Sequence, residues 1–482
     1  MIRIKLNEEN FQYDIHSLVK AFYPEQDVKF CGMEVSEASD ADACLEVWYA
    51  PSGIELIWRE DGTESRRTFC DTQDADRTET KNRLKRAIYG LLSESTGRVL
   101  PWGDLTGIRP TRIPMSLLEQ GRSQEEIAAH MMETYLVSEE KTRLSIDIAQ
   151  RERELLSPIH YAKGYSLYIG IPFCPTTCLY CSFTSYPIAK WQKRVGDYLT
   201  ALEREMDFTA DRCRNLCLDT VYIGGGTPTT LEPEALDRLL CAVEEKFNLR
   251  HLKEFTVESG RPDSITPEKL AVLKKHHVTR ISINPQTMKE ETLRVIGRCH
   301  TVAQTLEAYR MARDARFDNI NMDLIMGLPG ETSEDVRHTL SIIEELRPDS
   351  LTVHSLAVKR ASKLAQWMEE NGRDALCNTP EMMMLTENSA RRTGLFPYYL
   401  YRQKNMAGNF ENVGYARPGK EGIYNILIME EKQTIVACGA GSVSKRVYPD
   451  GRIERCENVK DVASFIERID EMIERKRKLL ED

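Results

Sequence analysis

Three cysteines, Cys174, Cys178 and Cys181, lie close together in the run PFCPTTCLYC, which directly follows the short apolar stretch SLYIGI. Their C-x3-C-x2-C spacing offers three thiolates to a [4Fe–4S] cluster, which is usually held by four cysteines. The fourth iron is then open to a small molecule. S-adenosylmethionine (SAM), which chelates through its amino and carboxylate groups, is the usual occupant of such an iron. An electron from the cluster then cleaves the sulfonium and yields a 5′-deoxyadenosyl radical.

A zinc site, or three buried cysteines that meet by chance, is the alternative interpretation. Zinc normally takes four ligands, commonly as paired C-x2-C or Cys/His sets, and no second set follows these cysteines. Cys213 and Cys217, in CRNLC, are four residues apart on a predicted helix and would share a face. We expect them to be buried helix cysteines, with a second metal site as the alternative.

A glycine run, Gly224-Gly225-Gly226-Thr227-Pro228, follows downstream, after a predicted amphipathic helix over 195–211 and the apolar strand TVYIG. Glycines carry no side chain, so backbone N–H groups there can approach a carboxylate or an amino group closely. Together with the cysteine run, this loop predicts a place for the polar end of a small ligand.

These motifs resemble a known family. CPTTCLYC followed by GGGTP, ESGRPD, NPQ and MDLIMGLPGET is similar to the radical-SAM coproporphyrinogen dehydrogenases, the oxygen-independent coproporphyrinogen III oxidases and their relatives. The N-terminal extension, with PWGDLTGIRPTR, looks most like the HemZ-type members. The likeness covers roughly 164–364 and extends more weakly to about 447. It implies a [4Fe–4S] cluster held by the three cysteines, SAM as cofactor, and a radical that comes from the cofactor, so no catalytic side chain is assigned.

The resemblance also implies which side chains contact SAM. Glu258 suits the SAM ammonium or a ribose hydroxyl, Gln286 a ribose hydroxyl, and Asp323 a ribose or adenine contact. Arg298 can take a carboxylate bidentately. Matched residue by residue, the family pattern assigns SAM binding to Tyr168, Tyr180, Gly225, Gly226, Thr227, Glu258, Gln286, Arg298, Asp323, Ala357 and Val443.

Two departures from the family pattern bear on the reaction. Phe183 stands where the best-studied dehydrogenases carry a fourth cysteine that is not a cluster ligand. Gly170 replaces the histidine that precedes IPFC in those enzymes.

The resemblance implies oxidative decarboxylation of coproporphyrinogen III to protoporphyrinogen IX, with an electron donor such as flavodoxin or ferredoxin and an unknown acceptor. Two alternatives stay open: a haem-binding chaperone of the same family, and a radical-SAM enzyme that modifies haem itself. Those chaperones carry an HNxxYW-like motif after ARPG. Here ARPG is followed by YNILIM at 424–429, so the histidine and tryptophan are missing.

The elements that must position these residues predict an α/β fold. From 165 onward six strand-like runs alternate with helical segments, which indicates a parallel sheet with helices outside, and the resemblance makes it a partial (β/α)6 barrel. Working residues of such barrels lie at the carboxyl ends of strands. We expect four parts: a small α/β domain (1–95), a loop and helical connector (96–160), the barrel (161–366) and an α+β region (367–482) with strand-like runs IYNILIM and TIVACGAG.

Four residues are candidates for substrate binding. In PWGDLTGIRPTR, Trp102 can stack on a macrocycle, and Arg109 and Arg112 can pair with propionates. This loop would then form a lid at the substrate entrance, with a purely structural loop as the alternative. His354, in SLTVHSLA, could face the barrel interior. His276, His277 and His300 lie in or beside polar helical segments and are predicted to be solvated.

Composition agrees with a cytoplasmic enzyme, and we expect anaerobic chemistry because oxygen would destroy an open Fe–S cluster. A charged fraction of 29% and a net charge of −10 disfavour nucleic acid as a partner. No stretch approaches the roughly eighteen apolar residues of a membrane span, and MIRIKLNEENF lacks the apolar core of a signal peptide. Thirteen scattered cysteines do not form a disulfide framework and imply reducing conditions.

Overall fold

The computed structural model describes residues 1–32, 43–69, 76–358, 362–372, 376, 378–403 and 410–481. The chain forms two compact units, Met1–Gln150 and Arg151–Asp482. None of the helices in these ranges is both long and apolar enough to cross a membrane.

The described residues of the first unit form a five-stranded sheet with the order β2-β1-β3-β4-β5. Its strands are β1 (Ile2–Leu6), β2 (Val28–Cys31), β3 (Ala43–Ala50), β4 (Gly53–Glu60) and β5 (Thr63–Phe69). The sequence predicts three strand-like runs here, CLEVWYA, GIELIWR and SRRTFCDT. The antiparallel β3-β4-β5 meander confirms them within the described residues; the end of the third run, 70–72, lies outside these residues. Helices α1 (Gln12–Phe22) and α2 (Arg77–Thr96) pack their apolar residues into one core with the sheet.

Three further helices follow: α3 (Arg112–Glu119), α4 (Gln124–Tyr135) and α5 (Glu139–Leu155). Ser123 begins α4 with a capping box, because its side chain accepts from the backbone of Glu126 and the Glu126 side chain accepts in return. The boundary between the two units falls within α5, so residues 96–150 of the expected connector belong to the first compact unit.

In the part of the second unit that the structure describes, eleven strands form one sheet. Six of its strands are parallel neighbours and correspond to the six predicted runs: β6 (Gly164–Ile171), β9 (Cys217–Gly225), β10 (Glu254–Glu258), β11 (Arg280–Ser282), β12 (Ile320–Met326) and β13 (Ser350–Ser355). A short parallel pair, β7 (Phe173–Cys174) with β8 (Tyr186–Pro187), follows β6. The helices between the strands are α6 (Val195–Cys213), α7 (Pro233–Lys246), α8 (Pro267–Lys275), α9 (Glu290–Val295), α10 (Val302–Asp314) and α11 (Ser333–Leu346).

The remaining elements extend both ends of the same sheet. They are α12 (Leu364–Asn371), α13 (Pro380–Arg392), β14 (Phe396–Tyr401), β15 (Asn412–Ala416), α14 (Ile423–Glu430), β16 (Thr434–Cys438), β17 (Val443–Val447), β18 (Ile453–Glu457), α15 (Val462–Glu467) and α16 (Ile469–Leu480). The strand order is β14-β15-β13-β12-β11-β10-β9-β6-β16-β17-β18. Strand β16 runs parallel to β6 as a seventh parallel strand, whereas β15 is antiparallel to β13. The barrel and the expected α+β region therefore share one sheet.

Three local predictions were wrong. The run IYNILIM forms helix α14 and not a strand, since a short apolar run without alternation does not distinguish the two. Cys213 ends α6 while Cys217 begins β9, so they do not share a helix face. His276 and His300 are each only 2% exposed. His276, which directly follows α8, lies against Asp237 and Glu244 of α7, and His300, in the loop between α9 and α10, lies 3.9 Å from Asp263.

Candidate active site

The three cysteines lie on the loop that leaves β6 at the carboxyl edge of the parallel sheet. The Sγ atom of Cys174, at the end of β7, lies 3.5 Å from the Thr227 hydroxyl. The Cys181 amide donates to the Cys178 carbonyl at 3.2 Å. Burial raises the pKa of the Cys174 thiol to about 11, the Thr227 contact lowers it in part, and the Cys181 and Cys178 thiols raise it. A metal cluster would therefore displace protons from these thiols when it binds.

A buried arginine that the sequence reasoning missed fixes this loop. Arg261 is 3% exposed and donates from Nη1 to the Thr176 carbonyl at 3.2 Å, with Cys178 Sγ 3.9 Å from the same nitrogen. Its other edge forms a fork with Asp263 at 3.0 and 2.9 Å. The guanidinium thus places positive charge beside a thiolate ligand. ESGRPD was noted only as a motif, and the spacing gave no sign that its arginine reaches the cysteine loop.

The glycine run lies against the cysteine loop, as its position after β9 predicted. Gly225 adopts φ +101°, and a Cβ on Gly226 would lie 2.4 Å from the Phe173 carbonyl oxygen. The Gly226 and Thr227 amides donate to the carbonyls of Ile171 and Phe173 at 2.8 and 2.7 Å. Side chains at 225 and 226 would therefore separate the two loops that carry the site.

Glu258, at the end of β10, is a half-buried carboxyl next to this run. The Tyr222 hydroxyl donates to Glu258 Oε1 at 2.5 Å. Burial raises the pKa of Glu258 to about 7, the hydrogen bond from Tyr222 lowers it in part, and the charge of Asp323 raises it. The tyrosine ring also stacks on Tyr424, with centroids 4.4 Å apart, so one side of the carboxyl is walled by aromatic rings.

Asp323, on β12, faces the same interior as Glu258. Its Oδ1 accepts from the Asn321 amide at 2.7 Å, and its Oδ2 lies 3.8 Å from His354 Nε2. Burial alone would raise the pKa of Asp323, but His354 and Asn321 together hold it below its ordinary range. The other nitrogen of His354 lies 3.4 Å from the Tyr401 hydroxyl. The structure thus brings His354 to Asp323, and it adds Tyr401, which the sequence did not indicate.

Several buried polar atoms around this edge have no hydrogen-bond partner in the described part of the chain. They are Ser259 Oγ, Ser282 Oγ, Asn284 Oδ1, Gln286 Oε1 and Arg298 Nε. Buried polar groups are normally hydrogen-bonded, so this set fits a ligand that carries amino, carboxylate and hydroxyl groups. With three thiols on the adjoining loop, the donor set fits a [4Fe–4S] cluster with SAM.

The other residues assigned to SAM surround the same edge. Arg298 lies beside Tyr180 and Cys178 and donates to the Asn284 carbonyl at 2.5 Å. Gln286 has a left-handed backbone (φ +68°), and its backbone N–H donates to the backbone carbonyl of Asp323 at 2.9 Å. Ala357 and Val443 lie at strand ends: Ala357 follows β13, and Val443 is the first residue of β17.

A crevice of about 50 Å³ opens between the cysteine loop and the loop after β16. It is lined by Tyr168, Gly170, Ile171, Pro172, Phe183, Thr184, Gly225, Ala440 and Gly441. Phe183, which replaces the family's fourth cysteine, is 72% exposed there. A Cβ on Gly439 would lie 2.4 Å from the carbonyl oxygen of Gly170 on β6, so the loop after β16 lies against the backbone of β6 with no room for a side chain at 439.

A buried ion pair fixes the loop after β16 from behind. Lys476 Nζ, on α16, lies 2.6 Å from Glu205 Oε1 on α6, and neither side chain is more than 1% exposed. Lys476 also donates to the Ala437 carbonyl, and Glu205 Oε2 accepts from the Gly439 amide at 2.8 Å. The C-terminal helix therefore helps to position the loop that precedes Val443.

Three of the candidate substrate residues belong to the first unit. Trp102 is fully buried, and a Cβ on Gly103 would lie 2.1 Å from the Tyr135 carbonyl oxygen. Arg109 is half-buried, and Arg112, which begins α3, is exposed. In this arrangement Trp102 offers no ring face to a ligand, so its stacking on a macrocycle stays a prediction that requires the loop to move.

Comparisons with known proteins place the chain in a family. Residues 168–343 match the model of the radical SAM superfamily. The chain is 39% identical to the oxygen-independent coproporphyrinogen-III oxidase-like protein HemZ of Bacillus subtilis over 99% of its own length and 97% of that protein. It is 38% identical to the heme chaperone HemW of the same organism, but over only 40% of this chain and 51% of the chaperone.

The fold has a solved counterpart. The coproporphyrinogen III oxidase HemN of Escherichia coli, described as a radical SAM enzyme, aligns with a TM-score of 0.52 and 23% identity over 66% of this chain and 72% of its own. This likeness confirms the radical-SAM fold. The protein is thus a member of the radical-SAM coproporphyrinogen dehydrogenase family, similar along its whole length to HemZ, with a [4Fe–4S] cluster and SAM as its cofactors.

Proposed function

We propose that the protein catalyses the oxidative decarboxylation of coproporphyrinogen III, converting propionate side chains to vinyl groups and giving protoporphyrinogen IX. The observation that carries this proposal is the similarity to a coproporphyrinogen-III oxidase-like protein over nearly the whole of both chains. That similarity includes the N-terminal unit, which the match to the superfamily model at 168–343 does not cover.

When bound, the cluster and SAM would supply a 5′-deoxyadenosyl radical able to take a hydrogen atom from the propionate carbon β to the carboxylate; the overall change to a vinyl group also releases CO2 and gives one electron to an acceptor. The chain's part is to bind, orient and exclude water. Cys174, Cys178 and Cys181 would hold the cluster. Glu258 and Asp323 would hold the polar groups of SAM, with the neighbouring tyrosine rings keeping water from the interior. An electron donor such as flavodoxin or ferredoxin completes the proposal.

His354 and Tyr401 would face the substrate. His354 is the more exposed member of its pair with Asp323, at 28% against 20% of the side chain, and its Nδ1 is already within reach of the Tyr401 hydroxyl. With Nε2 directed at Asp323 and an Nδ1–H donated to the Tyr401 oxygen, the Tyr401 hydroxyl would be the group that donates to a propionate oxygen.

A second candidate function is haem delivery without decarboxylation. The observations that favour it are the exposed Phe183, an aromatic residue where those chaperones also have one, and the partial similarity to the heme chaperone HemW. Against it, the chain lacks the histidine and tryptophan of the HNxxYW-like motif.

One experiment separates the candidates. The anaerobically reconstituted full chain is incubated with SAM, a reductant and either coproporphyrinogen III or haem, and vinyl products and 5′-deoxyadenosine are measured together by mass spectrometry. The proposal predicts vinyl products from coproporphyrinogen III, and their loss in Cys178→Ala. Tight haem binding with neither vinyl products nor consumption of SAM would support the chaperone and overturn the proposal. A new haem-derived product would instead indicate an enzyme that acts on haem.

A further inference from the structure

Away from the active site, a carboxylate, a thiol and an imidazole meet between α7 and α8. Asp237 and Cys241 are four residues apart on α7 and so lie on one face of it. His276 directly follows α8, and its Nε2 lies 2.8 Å from Asp237 Oδ1 and 3.9 Å from Cys241 Sγ. The sulfur lies 3.9 Å from Asp237 Oδ2, and one donor atom from each residue falls within 4.8 Å of the others.

We propose that Asp237, Cys241 and His276 bind a divalent transition-metal ion of the zinc class, with water as a further ligand. Zinc bonds of about 2.3 Å to sulfur and about 2.1 Å to nitrogen and oxygen place tetrahedral donors roughly 3.4–3.6 Å apart. The observed separations of 2.8–3.9 Å lie on either side of these values, with one oxygen of Asp237 toward His276 and the other toward Cys241. Because one donor atom from each residue already lies within 4.8 Å of the others, small side-chain rotations complete the site. A mixed S, N and O set suits such ions and does not suit Ca²⁺ or Mg²⁺.

The surroundings of His276 have the pattern of a metal ligand. Glu244 Oε2 lies 2.9 Å from Nδ1, and metal-bound imidazoles commonly donate their second N–H to a carboxylate in this way. A metal ion at Nε2 would replace the proton shared with Asp237. The imidazole is 2% exposed, so its orientation is already fixed.

The local charge also favours a cation. A Cys241 thiolate, Asp237 and Glu244 together carry three negative charges, against one positive charge on Lys275, whose Nζ lies 2.6 Å from Asp237 Oδ1. The Lys275 side chain is 60% exposed, so it can turn into solvent when a metal ion takes its place. The site would join two outer helices of the barrel, independently of the function proposed above.

The test uses the cluster-loaded full chain, incubated with Zn²⁺, passed through a desalting column and analysed for metals. We expect one retained zinc ion per chain, lost in Cys241→Ala and in Asp237→Asn, and retained in Cys299→Ala, which removes an exposed cysteine. Absence of zinc uptake, or uptake that Cys241→Ala and Asp237→Asn leave unchanged, would overturn the proposal.

A second measurement identifies the ligands in a chain that carries alanine at 174, 178 and 181. Co²⁺ added to this chain should give thiolate-to-cobalt charge-transfer absorption that disappears in Cys241→Ala. Glu244→Gln, which keeps all three ligands, should weaken Co²⁺ binding roughly ten- to a hundredfold. Charge-transfer absorption that survives Cys241→Ala would place the metal on another cysteine and contradict the assignment.

Discussion

The half-buried carboxyl of Glu258 makes the stability of the cluster-free chain depend on pH. Burial raises its pKa from the ordinary 4.5 to about 7, so the folded chain holds the proton more strongly than the unfolded chain does. The free energy of unfolding is therefore highest below the pKa that Glu258 has in the unfolded chain. It falls as the pH rises toward the pKa that Glu258 has in the folded chain. A difference of about 2.5 pKa units corresponds to about 3 kcal/mol, lost between about pH 4.5 and pH 7.

Glu258→Gln removes this cost, because an amide of the same shape has no charge to bury and its oxygen can still accept from Tyr222. Below about pH 5 we expect the free energies of unfolding of the variant and the parent chain to change with pH in nearly the same way. By about pH 8 the free energy of unfolding of the variant should have gained about 3 kcal/mol relative to that of the parent. The assay is denaturant unfolding of the cluster-free chains across this range. Glu291→Gln, at an exposed position on α9, is the matched control. Parallel pH profiles for Glu258→Gln and the parent chain would refute the reasoning.

Three further predictions concern the surroundings of the site. Lys476→Met leaves Glu205 buried without its cation, so it should destabilise the chain by about 3–5 kcal/mol and weaken SAM binding. The control Arg475→Met breaks an exposed pair on the same helix and should cost less than about 1 kcal/mol. Equal losses of stability for the two variants in urea unfolding would contradict the positioning role of Lys476. Asp323→Asn should weaken SAM binding by roughly ten- to a hundredfold, because one charge-assisted hydrogen bond is lost. Titration calorimetry measures this affinity, and an unchanged value would remove Asp323 from the SAM site. Arg109→Ala and Arg112→Ala should each weaken tetrapyrrole binding by a similar factor with SAM cleavage intact, and unchanged affinity in both would leave their loop a structural one.

Sequence reasoning captured the parts of this molecule that depend on local pattern. The six parallel strands were predictable because each is a short apolar run followed by a helical segment. The clustering of Cys174, Gly225, Glu258 and Gln286 follows, since strand ends in a parallel sheet meet at one edge. The hairpin between β17 and β18 was predictable from Pro449-Asp450-Gly451.

Contacts between distant residues were not predictable. Nothing near Lys476 in the sequence indicates that it pairs with Glu205, and nothing near Arg261 indicates that it reaches Cys178. The seventh parallel strand, β16, was assigned to the C-terminal region because two antiparallel strands and α14 separate it in sequence from β13, although it pairs with β6 at the other end of the parallel strands. His276 was predicted to be solvated because its neighbours in sequence are polar, whereas its burial comes from the packing of α8 on α7.

The central claim is that Cys174, Cys178 and Cys181 hold one cluster that cleaves SAM. The most direct test measures iron content and 5′-deoxyadenosine formation in anaerobically reconstituted single variants. Alanine at any of these three positions should abolish both, while Cys213→Ala and Cys217→Ala, at the end of α6 and the start of β9, should leave both intact. Loss of iron in the Cys213/Cys217 double variant as complete as in Cys178→Ala would contradict the account.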